Sequence, residues 1–144
     1  MVESCDARLA LAVLRDASRD GRLEQICERF NVRVMSAFGS ATHESSLEPN
    51  DLDIGVSFRR EPESKRDPRD RIALWAALVE LTQYERVDLV VLDVDNPVLR
   101  AEALTAVALF ESQAGEFAEA QIAAVGERRD TSHSRRRNLE LMAQ

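Results

Sequence analysis

Between Asp51 and Phe58 the chain alternates without a break. Leu52, Ile54, Val56 and Phe58 are apolar, and Asp51, Asp53, Gly55 and Ser57 are polar or small. A period of two marks an extended strand, because successive side chains point to opposite faces. The same geometry sends Asp51 and Asp53 out on one side together. Upstream, the short β-rich run Val32–Phe38 stops at Gly39-Ser40, and ten residues separate Ser40 from Asp51. The arrangement reads as a phosphate-gripping turn feeding a strand that carries two carboxylates. Two clustered oxygen anions suit Mg²⁺, which keeps several waters and takes one or two carboxylates plus substrate phosphates. Gly39 allows a close backbone approach, and Ser40 offers a hydroxyl and an N–H to phosphate oxygens. Metal-assisted phosphoryl or nucleotidyl transfer is the chemistry to which this points.

Each half of the pattern has a plainer reading. Gly-Ser alone is an ordinary strand-ending turn, and Asp51-Leu52-Asp53 alone is the polar face of an edge strand. Together, at ordinary residue abundances, they arise by chance in roughly two of a thousand chains this long. The pairing therefore carries the argument.

Composition narrows the classes. With 144 residues the chain is expected to form one domain, with about 130–144 as a polar tail or helix end. A formal charge of −7 speaks against a broad nucleic-acid-binding face. The basic run Arg135-Arg136-Arg137 reads as a solvated helix end. Cys5 and Cys27 have neither metal-site spacing nor a disulfide framework. Without a leader pattern or about 18 consecutive apolar residues, a cytoplasmic location and no membrane association are expected.

The remaining segments alternate helix and strand. Cys5 to Phe30 is helical, with Leu9, Val13 and Leu14 on one face and Gly21 as a possible division. Leu23, Ile26, Cys27 and Phe30 continue the apolar stripe. Arg59 to Asp70, with Pro62 and Pro68 among charges, reads as a surface loop. Arg71 to Tyr84 reads as a helix with Ile72, Trp75, Ala76 and Val79 inward. Val87–Leu92 is apolar on both faces apart from Asp88, the pattern of a buried central strand. Asn96-Pro97 starts a helix, with Asn96 as its cap and Leu99, Ala103 and Leu104 on one face. A Val107–Phe110 strand or turn follows, then a helix from Gly115 to about Arg129. The expectation is an α/β (α+β) fold, a small mixed sheet flanked by helices.

Asp88 is the third candidate carboxylate. Buried among Val87, Leu89, Val90 and Val91 it needs a partner or a metal, and a neighbouring strand could bring it to the same cation as Asp51 and Asp53. Capping at the strand's start is the plainer role. Asp93 and Asp95 read as loop residues.

Phe38-Gly39-Ser40, Asp51-Leu52-Asp53-Ile54-Gly55-Val56 and Val87-Asp88-Leu89-Val90 together resemble the DNA polymerase β-type nucleotidyltransferase superfamily. In size the chain is similar to the minimal nucleotidyltransferases, often encoded beside a small helical HEPN partner, and Asn96–Leu104 through Glu111 resembles that group's ending. The resemblance implies a polymerase β-like fold and carries roles to particular residues. Asp51 and Asp53 would bind Mg²⁺ holding the triphosphate, Asp88 would complete a second metal position and accept the proton of the attacking hydroxyl, and Gly39 and Ser40 would hold the β- and γ-phosphates. It further implies ATP as substrate and AMP transfer to a tyrosine of a HEPN toxin, with the chain as antitoxin. Where many relatives have an Arg and a Gly after Gly-Ser, Ala41-Thr42-His43-Glu44 stand here.

Two other classes stay open: an antitoxin that occludes its partner without catalysis, and a small-molecule transferase of the aminoglycoside type. The latter enzymes usually carry an additional helical domain, for which this chain has little room. Self-association is also open. Template-directed polymerisation is disfavoured, since no separate basic module is present.

Overall fold

The computed structural model describes residues 6–43, 50–59, 68–92 and 97–127. Asn96, Asp93, Asp95, Cys5, most of the Arg59–Asp70 loop and the Arg-rich tail lie outside the described residues. Two helices open the chain, α1 (Ala7–Asp20) and α2 (Arg22–Arg29). The Asp6 side chain caps α1 by accepting from the Leu9 N–H at 2.9 Å. Gly21, at φ +90°, ends α1 in the left-handed conformation that a Cβ disfavours and starts α2 at once. The division expected at Gly21 is therefore present.

Strand β1 (Val32–Phe38) leads through a single 3₁₀ turn, Ser40–Thr42, towards β2 (Leu52–Phe58). Helix α3 (Pro68–Thr82) then crosses over to β3 (Val87–Val91), which lies parallel to β2, the connection a parallel pair requires. Helix α4 (Pro97–Leu104) returns the chain to β4 (Val107–Glu111), antiparallel to β1. A last helix, α5, runs over 116–127. Its start is held by the Glu111 carboxylate, which accepts from the Phe117 N–H at 3.0 Å. The sheet order is β3-β2-β1-β4. The mixed sheet flanked by helices is thus as expected.

Both faces of the sheet are covered. Leu52, Ile54 and Val56 of β2 join Val32, Met35 and Ala37 of β1 in one core, filled by Leu11, Leu14, Leu23, Leu74 and Leu78 of α1, α2 and α3. Val34 and Phe38 point the other way, into a smaller core with Leu92, Ala101, Ala103, Leu104 and Ala124. On that side Gly55 leaves room for a crossing helix. A Cβ there would meet Ser36 Oγ at 2.9 Å and the Ala103 methyl at 3.2 Å.

Three expectations need correction. Strand β3 is an edge, not a central strand; its apolar residues reflect cover from both faces. Its carbonyls are nonetheless occupied, because Trp75 Nε1 donates to Val87 O at 2.8 Å and an Arg71 N–H to Leu89 O at 2.9 Å. Side chains that fill edge carbonyls in this way block pairing with a foreign strand. The inward face of α3 is accordingly Leu74 and Leu78, both fully buried, while Ile72 is 65% exposed, and Trp75 and Ala76 also lie outward. In α1 the buried stripe is Ala7, Ala10, Leu11, Leu14 and Ala17, and Leu9 is exposed. In each case several apolar residues compete for one helix face, and only the neighbouring layer decides between them.

Leu78→Ala should lower the unfolding free energy by about 2–5 kcal/mol, the range for emptying a filled core site. Ile72→Ala should change it by no more than about 0.5 kcal/mol. Urea titration of both variants reads the difference; equal losses would place the α3 core face wrongly.

Candidate active site

The site forms where four strand ends meet α4 and the 3₁₀ turn. In register across the sheet, Phe38 of β1 faces Asp53 of β2, and Asp53 faces Asp88 of β3. Asp53 and Asp88 are nearest neighbours on parallel strands, so their side chains leave the sheet on the same face. Asp51 stands just before β2, two residues from Asp53 and on the same side. Its position is fixed from both flanks. The Tyr84 hydroxyl donates to the carbonyl of Asn50, and the Leu52 N–H donates to Arg86 O at 2.9 Å.

Gly39 closes the other side of Asp53. With φ at +77°, it brings its Cα so close that a Cβ would lie 2.2 Å from Asp53 Oδ2. No other residue fits there while Asp53 keeps its place. The turn that follows is bonded to itself: the Thr42 N–H and hydroxyl both donate to Gly39 O, at 3.1 and 2.7 Å, and the His43 N–H donates to Ser40 O at 3.2 Å. Ser40 is exposed at its start.

The electrostatics follow from this crowding. Partial burial raises the Asp53 carboxyl above its usual range, and the charges of Asp88, Asp51 and Glu102 add to the shift. Glu102, on α4, is a fourth carboxylate that the sequence reading did not single out. It lines a cleft of about 300 Å³ beside Gly39 with Phe38, Thr42, His43, Thr105 and Val107. Nothing in its local pattern marks it, because α4 alone brings it over the strand ends. Asp88 is exposed rather than buried, and it opens onto a groove of about 270 Å³ along β3. A larger cavity, about 710 Å³, lies at the opposite ends of the strands around Ser57 and Arg59. It holds Arg100, which bonds Glu127 at 2.6 Å, and none of the site's carboxylates.

All-oxygen donors select hard cations of the Mg²⁺ type. Among the described residues no group of three or more His, Cys, Asp or Glu side chains is placed to hold a metal ion. The Asp carboxylates adjoin instead along two strand ends, and an open edge of that kind suits an ion that keeps positions for water and phosphate. The like charges of Asp51, Asp88 and Glu102 acting on Asp53 fit a cation there.

In the metal-free protein, ionised Asp53 opposes folding. A carboxyl with a raised folded-state pKa is stabilising below its unfolded value, and that contribution is lost as pH rises through the folded value. Asp53→Asn should therefore raise Tm at pH 7 by roughly 1–3 °C, a small shift because water screens a half-exposed group. The gain should vanish at about pH 3, below the unfolded carboxyl value, and an equal gain at both pH values in calorimetric scans would contradict this origin. If the site takes Mg²⁺, Gly39→Ala should lower its affinity by about 10–100-fold by displacing the Asp53 carboxylate, as measured by titration calorimetry.

Residues 22–114 match the model of a family described as polymerase beta, nucleotidyltransferase. No curated protein matches the chain by sequence. Among solved structures it is similar to a mutant MntA–HpeT toxin–antitoxin, at 16% identity over 87% of this chain and 98% of that one, with TM-score 0.63. It is similar to a toxin–antitoxin with AMP-PNP, at 17% identity over 87% and 98% of the two chains and the same TM-score, 0.63. A third is the tri-AMPylated Shewanella oneidensis HEPN toxin in complex with MNT antitoxin, at 16% identity, 90% and 99% coverage and TM-score 0.61. At these identities the likeness establishes a common fold. No helix among the described residues is long and apolar enough to cross a membrane.

Proposed function

Because the chain belongs to the polymerase β nucleotidyltransferase family, we propose that it transfers AMP from ATP to a protein hydroxyl, a tyrosine of a HEPN-type toxin, and so acts as an antitoxin. The observation that carries this reading is the adjacency of Asp53 and Asp88 on parallel strands, with Gly39 against Asp53 on the other side. Three carboxylates and a glycine turn at one sheet end offer a place for a metal-bound triphosphate. The fold shared with MNT–HEPN pairs supports the choice of acceptor, and the complex with AMP-PNP among the similar structures supports an adenine nucleotide.

In this mechanism Asp51 and Asp53 would hold Mg²⁺, with Asp88 contributing to a second position. When bound, the ion neutralises phosphate charge and stabilises the entering and leaving oxygens. Gly39 lets the Asp53 carboxylate sit against the turn, and Ser40 offers its hydroxyl and N–H to the β- and γ-phosphates. Asp88, at the solvent-exposed edge, takes the proton of the attacking hydroxyl. The acceptor oxygen bonds to the α-phosphorus as the bond to the β-phosphate oxygen breaks, and pyrophosphate leaves. Catalysis is then mostly positioning and charge stabilisation.

Titration of ATP into wild type should show binding only with Mg²⁺, and none to an Asp51→Asn/Asp53→Asn variant. Transfer of labelled AMP to a co-purified partner should fall roughly 100-fold or more in Asp88→Asn. Neutralisation of the partner that persists unchanged in Asp53→Ala would instead identify occlusion as the means of inhibition.

A further inference from the structure

Resting on the transfer reaction proposed above, we infer that the hollow between α3 and the edge strand β3, beside Asp88, is the acceptor subsite. It takes the phenol ring of a tyrosine side chain, and Arg71, Ile72 and Trp75 hold that ring. The hollow, about 250 Å³, is lined by Arg71, Ile72, Trp75, Val87, Asp88 and Leu89. It lies below the roughly 300–1,000 Å³ of pockets that enclose a whole small ligand, a size that suits one side chain. Apart from Arg71 and Asp88 its lining is apolar. Asp88 belongs both to this hollow and to the row of acids across β2 and β3. Whatever fills the hollow therefore stands beside the group that takes the acceptor's proton in the proposed reaction.

The three α3 residues share one stripe. Arg71 and Trp75 are four positions apart and Ile72 and Trp75 three, the spacings that bring side chains together on a helix. Trp75 is pinned by its Nε1 bond to Val87 O yet stays 37% exposed, and Ile72 is exposed beside it. Closure of the β3 edge explains the two bonds to its carbonyls. It does not call for an exposed isoleucine one turn away. Apolar side chains exposed side by side and rimmed by charge are the usual composition of an interaction site. Among the described residues the Arg71 guanidinium bonds Leu89 O, at 2.9 Å, and nothing else, so its charge and other donors are open to a ligand. A tyrosine side chain matches each element. Its ring packs against an indole in offset or edge-to-face contact, its π face takes a guanidinium, and its hydroxyl at the tip meets Asp88. A serine or threonine would leave the apolar lining uncovered, and a sugar would bring several hydroxyls to a lining with two polar side chains.

Trp75 is the chain's one tryptophan, so its fluorescence reads the hollow directly. N-acetyl-tyrosinamide should change that emission saturably in the wild type, and N-acetyl-serinamide should not. Ile72→Gln and Arg71→Gln should each bind the tyrosinamide about five- to tenfold more weakly, with Mg-ATP affinity and Tm unchanged. Glutamine at position 71 keeps a donor for Leu89 O, so edge closure alone predicts no loss there. Arg71→Lys, which keeps the charge, should recover most of it. In transfer of labelled AMP from Mg-ATP to the tyrosinamide, the glutamine variants should raise KM by a similar factor and leave kcat within about twofold. Tyrosinamide affinity within about twofold of wild type in both glutamine variants would overturn the assignment, as would equal binding of the serinamide or no saturable change in wild type. If such a failure accompanies Mg-ATP binding that still needs Asp51 and Asp53, the nucleotide site stands and the acceptor enters elsewhere. If wild type binds the tyrosinamide but not Mg-ATP, the acceptor assignment falls together with the transfer reaction.

Discussion

The register of β2 between its two neighbours is the constraint on which the site depends. Phe38, Asp53 and Asp88 lie on one line across β1, β2 and β3. That line is pinned by apolar burial, since Leu52, Ile54 and Val56 are fully buried on the opposite face. A slip of one residue would turn these side chains towards α4 and drive Asp53 into the main core. The cost of burying a carboxylate there makes such a slip unfavourable. The chemistry of one face is thus held in place by the hydrophobic packing of the other.

Crowding carboxylates has a local cost that the architecture contains. Asp53 is only partly buried, and Asp88 sits on an edge strand open to water. Had β3 been central, as its apolar run suggests, Asp88 would have lost that hydration. The open edge is kept from foreign pairing by Arg71 and Trp75, which donate to the carbonyls on either side of Asp88. One pair of side chains from α3 therefore leaves the carboxylate accessible while closing the strand. Tyr84, just beyond α3, gives similar support to the segment before β2 through the Asn50 carbonyl. These residues position the acids through backbone groups.

Helices α1 and α4 frame this acidic edge from two sides. Helix α4 crosses the face that carries Asp53 and brings Glu102 beside Gly39. Helix α1 packs on the other face yet places Arg8 against the turn that Gly39 opens. The acidic contribution of Glu102 is not visible in the spacing of the motif itself.

The sequence by itself determined the strand that carries Asp51 and Asp53, the glycine turn before it and the break between α1 and α2 at Gly21. Those features are local. A period of two, a backbone angle open to glycine and a fixed ten-residue interval can each be read without knowing what packs nearby. It did not determine which strand lies at the edge, which face of α3 turns inward, or that Glu102 reaches the site. Val87–Leu92 looks the same as a central strand or as an edge strand covered on both faces, because side-chain burial reports cover and not pairing. Ile72 and Leu74 are equally apolar, and only contact with α1 and the sheet selects Leu74. Tertiary structure decided these points, since each depends on an energy shared between residues far apart in the chain.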